Sequence, residues 1–247
     1  MIKKFKMLIK KMIFPNTYSS EVYIKYLKKC GIKIGENCYV WSPNHTFIDV
    51  QRPETLVIGN NCKITQGVTI LSHDYSMSVA KKRYAEHVGT AEITSIGDNV
   101  FIGINSIILM GSKIGNNCII GAGSVVCGSF PDDSVIAGNP ARVVSTLGKY
   151  YTKHKKNAYM KAKLYFECFK KQHNRIPTVE EMGNAFAWLY LPRTKETLEM
   201  YDSFFRLSGD DYEQTVEDFM NSTGMFENYE QFCNSINESL EDELIEE

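Results

Sequence analysis

Six consecutive blocks of six residues run from Ile96 to Pro131: IGDNVF, IGINSI, ILMGSK, IGNNCI, IGAGSV and VCGSFP. Ile96, Ile102, Ile108, Ile114, Ile120 and Val126 lead the blocks. Glycine follows at Gly97, Gly103, Gly115 and Gly121, and a small residue (Ser106, Ser112, Cys118, Ser124) sits four places after the leader. Neither the helical period of 3.6 nor plain alternation produces a strict period of six. A short fixed period means stacked coils, in which each repeat buries its apolar residue only against its neighbours. One β-branched residue per hexad then points inward, the small residue fits the corner, and glycine relieves crowding at the turn. The stretch predicts a parallel β-helix.

The period extends towards the N-terminus. Hexads begin at Ile34 (IGENCY) and Val40, and recur at Ile58 (IGNNCK), Ile64 (ITQGVT) and Ile70 (ILSHDY). From Ile34 to Ile58 is 24 residues, which reads as four whole hexads with Thr46 and Arg52 as non-aliphatic leaders and NHTFIDVQRP bulging on one face. From Ile70 to Ile96 is 26 residues, two out of phase, so an insertion must leave the coil between them. Asp74 to Ser95 is that loop, polar and basic at Lys81, Lys82 and Arg83. Long loops on a rigid scaffold usually carry function.

These residues closely resemble the hexapeptide-repeat acyltransferases, whose motif is an aliphatic residue, glycine, two variable residues, a small residue and another variable one. IGAGSVV followed by AGNPARVV (Ala137 to Val144) is similar to that family's closing coil and exit. The resemblance implies a left-handed β-helix of three-sided coils, against the usual right-handed crossover rule. The scaffold also carries other chemistries, so the motif is more specific for fold than for function.

The flanks differ from the repeat. Residues 1–33 carry nine lysines against Glu21, and residues 199–247 carry fifteen acidic groups against Arg206 alone, although the whole chain is formally −1. Net neutrality argues against a general nucleic-acid binder. Ser20 opens a helical segment through Lys29 with Val22, Tyr26 and Cys30 on one face, and Gly31 ends it. That segment is expected to cap the open first coil, since a bare β-edge invites pairing. The sharper alternative is a basic arm touching anionic lipid. No window approaches a membrane span or a signal peptide. Seven cysteines with no C-x-x-C pair, three of them (Cys38, Cys62, Cys118) at the small position of a hexad, suggest structural thiols and a reduced, cytoplasmic setting.

From about Lys149 the spacing turns helical: Tyr159, Ala162, Phe166 and Phe169 form one stripe, and Thr178 with Glu181 makes a capping box opening TVEEMGNAFAWLYL. Amphipathic segments follow near Tyr212–Met220 and Tyr229–Ile236, before a disordered-looking acidic end. Three regions result: a basic cap (1–33), a β-helix (34–148, with loop 74–95) and an α-helical region with an acidic tail (149–247). The chain leaves the coil at Arg142, so the helical region is expected to shape access to the acceptor.

His73 ends a coil in TILSHDY, at the mouth of the insertion. In the family that this sequence resembles, a histidine at this place is the catalytic base. Imidazole titrates near neutrality, so it can take a hydroxyl proton and pass it to a thiolate leaving group. The resemblance also implies backbone oxyanion donors at Gly103 and Ile104. Asn44, His45, Asp49 and Asp74 are candidates for holding an acceptor sugar, with Asp74 also considered as the group that orients His73. Coenzyme A requires a groove of exposed backbone, for which Gly121, Ala122 and Gly123 are candidates, with Arg142 and Lys149 to meet its phosphates. The family's groove takes its second wall from a neighbouring subunit, implying a homotrimer. The expected activity is acetyl-CoA-dependent O-acetylation of a sugar or polysaccharide. The alternatives are an antibiotic acetyltransferase, a zinc carbonic anhydrase lacking a convincing third histidine, and a non-enzymatic trimeric scaffold. No metal site is expected.

Overall fold

The computed structural model describes residues 9–245, with side chains to residue 237. The chain divides into two compact units, Met1–Tyr150 and Tyr151–Glu247. In the first unit the strands come in coils of three. The first coil is β1 (Lys33–Ile34), β2 (Tyr39–Val40) and β3 (Phe47–Ile48); the second is β4 (Leu56–Ile58), β5 (Lys63–Ile64) and β6 (Thr69–Ile70). The third is β7 (Thr94–Ile96), β8 (Phe101–Ile102) and β9 (Ile107–Ile108); the fourth is β10 (Lys113–Ile114), β11 (Ile119–Ile120) and β12 (Val125–Val126). β13 (Ser129–Phe130) and β14 (Ser134–Gly138) begin a fifth, and β15 (Ala141–Thr146) turns back antiparallel on β14. Parallel pairing stacks them into three faces, β1-β4-β7-β10-β13, β2-β5-β8-β11-β14 and β3-β6-β9-β12.

The register puts the hexad leaders in vertical files. Ile58 pairs with Ile96 and Ile96 with Ile114 on the first face, Ile64 with Ile102 and Ile102 with Ile120 on the second, and Ile70 with Ile108 and Ile108 with Val126 on the third. Nearly all are 0–4 % exposed, and each such side chain contributes about 1.5–3 kcal/mol of burial. Glycine after the leader is required by coil spacing: a Cβ on Gly97 would stand 2.7 Å from the carbonyl carbon and oxygen of Gly115 one coil away. The first corner has a further device. Asn37, Asn61, Asn99 and Asn117 turn it with φ of 54–56°, a conformation asparagine tolerates. The residues before them, Asn60, Asp98 and Asn116, accept the backbone N–H of the coil below at 2.7–2.8 Å. The corner thiols of Cys38, Cys62 and Cys118 point at carbonyls of the next coil, Gly59, Gly97 and Pro131, at 3.1–3.3 Å.

The first coil departs from the expected register. The third face is reached at Ile48, which is 3 % exposed, so neither Thr46 nor Arg52 leads a hexad. A three-sided coil needs three inward residues, and the surplus of the 24 is taken up at corners by the 3-10 turns Pro43–His45 and Pro53–Thr55. The insertion also differs from a plain loop: it contains the helix α2 (Met77–Tyr84), and β7 resumes at Thr94. Before the coil, α1 (Ser20–Lys29) is capped by Ser19 rather than Ser20. Its buried face is Ser20, Tyr23 and Leu27, not Val22, Tyr26 and Cys30. Tyr23 Oη donates to Thr46 O and accepts from Ile48 N–H, closing the open end of the coil.

After α3 (Leu147–Lys156), the second unit comprises α4 (Ala158–His173), α5 (Val179–Met182), α6 (Asn184–Tyr190), α7 (Lys195–Met200), α8 (Asp202–Phe205), α9 (Tyr212–Asn221) and α10 (Tyr229–Ile245). Ala162, Phe166, Tyr190, Phe205, Phe219, Phe232 and Ile236 form its core. The Thr178–Glu181 capping box is present, but Gly183, with φ 72°, splits the helix it opens. The acidic end is helical as far as Ile245, because its Glu- and Leu-rich run favours helix. The last residues, 246–247, and residues 1–8 of the basic arm lie outside the described part.

Candidate active site

The third corner of the coil holds the most developed polar cluster. β3 and β6 pair with Ile48 beside Ile70, so the residues that follow each strand, Asp49 and Ser72–His73, emerge together. Asp49 is 1 % exposed, and its carboxylate accepts from Gln51 N–H (2.9 Å), Ser72 N–H (3.0 Å) and Ser72 Oγ–H (2.6 Å). It also accepts from His73 Nδ1. Burial alone raises its pKa, but the donors from Ser72, Gln51 and His73 outweigh it and hold the group down at about 2. A carboxylate only accepts, so the proton of a neutral imidazole sits on Nδ1 and Nε2 keeps its lone pair. The Ser72 hydroxyl in turn accepts from Arg52 N–H at 3.2 Å, tying the 3-10 segment to the cluster.

His73 is 28 % exposed and lines a cavity of about 400 Å³. Gln51 and Arg52 form one wall; Tyr75, Met77 and the returning segment His87–Thr90 of the insertion form the other. The departure from hexad phase is therefore what encloses the space in front of the imidazole.

The remaining candidates fall elsewhere. Asp49 was expected against an acceptor; its burial and four donors make it the residue that holds His73 instead. Asp74 does not orient the imidazole: its carboxylate accepts from Ser76 N–H and Oγ–H at 2.8 and 2.7 Å, shaping the turn into α2. Asn44 and His45 lie in the 3-10 turn at the second corner. Gly103, Ile104, Gly121, Ala122 and Gly123 follow β8 and β11 at that same corner, and the third face separates it from His73 within one chain. Gly103 cannot serve as an oxyanion donor, because its N–H is taken by Ile120 O at 2.8 Å. The Ile104 N–H meets no acceptor among the described residues. Ala122 and Gly123 are exposed, while Gly121 is half-buried with its N–H on Ile136 O. Arg142 is exposed on β15 and Lys149 on α3. Among the described residues, no group of three His, Cys, Asp or Glu side chains could hold a metal ion. Nor is any described helix long and apolar enough to cross a membrane.

Sequence reasoning missed Ser72, Gln51, Arg52 and His87 as parts of this site. The signal was present: with three-sided coils, Ile48 and Ile70 share a file, and Asp49 follows one as Leu71–His73 follow the other.

Comparison with known proteins identifies the class of β-helix to which this coil belongs. The family model for bacterial transferase hexapeptide (six repeats) matches residues 93–128. Protein CapG of Staphylococcus aureus is 40% identical over 140 residues, which are 57% of this chain and 80% of that protein. The chain belongs to the hexapeptide-repeat acetyltransferases, and its coil is their left-handed parallel β-helix. The galactoside O-acetyltransferase of Escherichia coli (strain K12) is 37% identical, over 50% of this chain and 57% of that enzyme. Among solved structures, a maltose O-acetyltransferase from Clostridium difficile 630 is 26% identical over 57% of this chain and 84% of that one, with a TM-score of 0.37. The chain spans between 54% and 59% of the length of four further curated relatives it matches, counting that E. coli enzyme.

Proposed function

We propose that this protein transfers an acetyl group from acetyl-CoA to a hydroxyl of a sugar or polysaccharide. The observation that carries the reading is the pairing of His73 with the buried carboxylate of Asp49 at the mouth of the cavity. Asp49 fixes the tautomer and stabilises the imidazolium; Nε2 takes the proton from the acceptor hydroxyl as its oxygen attacks the thioester carbonyl. When the tetrahedral intermediate collapses, the carbon–sulfur bond breaks and the imidazolium returns the proton to the departing thiolate. No covalent enzyme intermediate is needed. A sugar acceptor draws support from the galactoside O-acetyltransferases among the relatives, and the CoA donor from a serine acetyltransferase solved in complex with CoA.

A homotrimer completes the site. The outward side chains of the third face, Phe47, Thr69, Ile107 and Val125, are largely apolar, and Phe47 is 56 % exposed. The outward residues of the first face are mostly polar: Lys33, Val57, Ser95, Lys113 and Ser129. Packing third faces about a three-fold axis sets the third corner of one subunit, with His73, beside the second corner of the next, with Ile104, Ala122 and Gly123. Ile104 N–H is then the oxyanion donor, and the exposed backbone of Ala122–Gly123 flanks the pantetheine arm, with Arg142 and Lys149 for the phosphates. A cytoplasmic setting agrees with seven cysteines that form no disulfide.

The test is thiol release from acetyl-CoA across a panel of sugars and oligosaccharides, for the parent and His73→Ala. The variant should keep its fold and lose about two to four orders of magnitude in turnover. Near-parental turnover refutes the assignment.

A further inference from the structure

Among the described residues, those ahead of α1 (9–19) do not line the cavity in front of His73. Residues 9–13 are helical, and Ile9, Met12 and Ile13, three and four residues apart, share one side of the turn. They are 41, 79 and 62 % exposed, and Phe14 continues the patch at 37 %. Lys10 and Lys11 fall between them. Lys11 Nζ lies 5.1 Å from the centre of the Tyr18 ring, a contact that leaves its charge uncompensated. In the sequence the same spacing reaches back through Phe5 and Leu8, with Lys3, Lys4 and Lys6 interspersed. The first acidic residue of the chain is Glu21.

An ordinary surface helix turns its apolar stripe to a core and mixes charges of both signs outward. Here the stripe is open and the charge has one sign. A nucleic acid would answer the lysines and leave Ile9, Met12 and Ile13 in water; an apolar protein groove would answer the stripe and leave the lysines unmatched. A bilayer carrying acidic headgroups answers both, since apolar side chains enter the headgroup–acyl boundary while lysines meet lipid phosphates and carboxylates. We propose that the segment Ile9–Phe14 docks this protein on an anionic lipid surface. The contact is peripheral, and a few side chains and charges of this kind give reversible, salt-sensitive binding.

The experiment is co-sedimentation of the full chain with vesicles of phosphatidylcholine alone and of phosphatidylcholine mixed with phosphatidylserine. The protein should pellet with the mixed vesicles, remain in solution with the neutral ones, and be released by added salt. Lys10→Glu with Lys11→Glu should weaken binding by about thirtyfold or more. Met12→Ser with Ile13→Ser should weaken it comparably with no change of charge. All four side chains lie outside both cores, so the variants should melt with the parent; Lys10→Ala with Lys11→Ala, a milder change, serves if they do not. The proposal is overturned if the parent ignores anionic vesicles, or if the Met12/Ile13 variant binds them as the parent does, which makes the contact charge alone. It is also overturned if that variant dissociates an oligomer that the parent forms, because the stripe then lies between copies of the chain.

Discussion

Replacing Asp49 by asparagine tests both the chemistry and the electrostatics of the third corner. The carboxylate accepts four hydrogen bonds: Gln51 N–H on Oδ1, and Ser72 N–H, Ser72 Oγ–H and His73 Nδ1 on Oδ2. An amide retains one oxygen. With three donors crowding Oδ2, the amide nitrogen must take the Oδ1 side and face the Gln51 N–H. One lost bond with an unsatisfied donor costs about 1–3 kcal/mol. His73 keeps an acceptor but loses an ionised one, so the imidazolium formed during proton transfer is less stabilised. The expected loss in kcat/KM is about two to four orders of magnitude, by analogy with catalytic triads in which the carboxylate is neutralised. Thiol release at saturating acetyl-CoA measures it, with thermal melts as the control for folding. A folded Asp49→Asn variant with parental kcat/KM refutes the reasoning.

The same substitution has a pH signature. In the folded chain Asp49 is held at about 2, below its ordinary 3.8, so its stabilising contribution is present above the ordinary value and is lost as pH falls through the folded one. The difference corresponds to roughly 2 kcal/mol. The parent should therefore lose that much more stability than Asp49→Asn between about pH 5 and pH 2. Parallel curves for the two proteins in urea titrations at each pH contradict this account.

Gly97→Ala should destabilise the first unit by about 1–3 kcal/mol, because the new methyl meets backbone of the adjacent coil and not a movable side chain; urea unfolding measures it, with Gly148→Ala, where the added Cβ meets nothing within 4 Å and alanine favours the helix α3, as a control that should not destabilise. Phe47→Asp should convert the proposed trimer to monomer in light scattering, and activity should fall with it; an active monomer sinks the intersubunit site. Truncation after Tyr150 should leave the coil folded by circular dichroism and able to acetylate a small acceptor. A truncated chain that unfolds or loses that activity refutes the independence of the first unit.

Much of the coil was legible because its determinants are local. Each leader, glycine and corner residue makes its contact one coil away, at the same position of the repeat, so a short period in sequence becomes a file in space. Asn60, Asp98 and Asn116 show the same rule: their ladder can be read from the N-N and D-N doublets once the corner is known. The helical second unit was legible in its capping box and its Ala162–Phe166 stripe. Its breaks were not, because Gly183 ends a helix through a positive φ that no periodicity announces.

The site was harder to read for the reason that makes it a site. A perfect hexad repeat closes every corner tightly and leaves no cavity. The first coil adds residues at Pro43–His45 and Pro53–Thr55, and the insertion adds a longer run after Ile70. Taking the first coil as four regular hexads leaves Asp49 facing the loop as an acceptor contact, with nothing to pair it with His73. Counting three faces per coil puts Ile48 over Ile70, and the surplus residues then sort themselves onto corners. Two of the irregularities fall at the third corner in consecutive coils, where the extra chain of one supplies Gln51 and Arg52 and the extra chain of the other supplies Tyr75, Met77 and His87–Thr90. Asp49 and His73 sit at the root of those two excursions, each anchored by the last regular strand before it. The rigid files hold the pair in register, and the lost period opens the space that the pair faces.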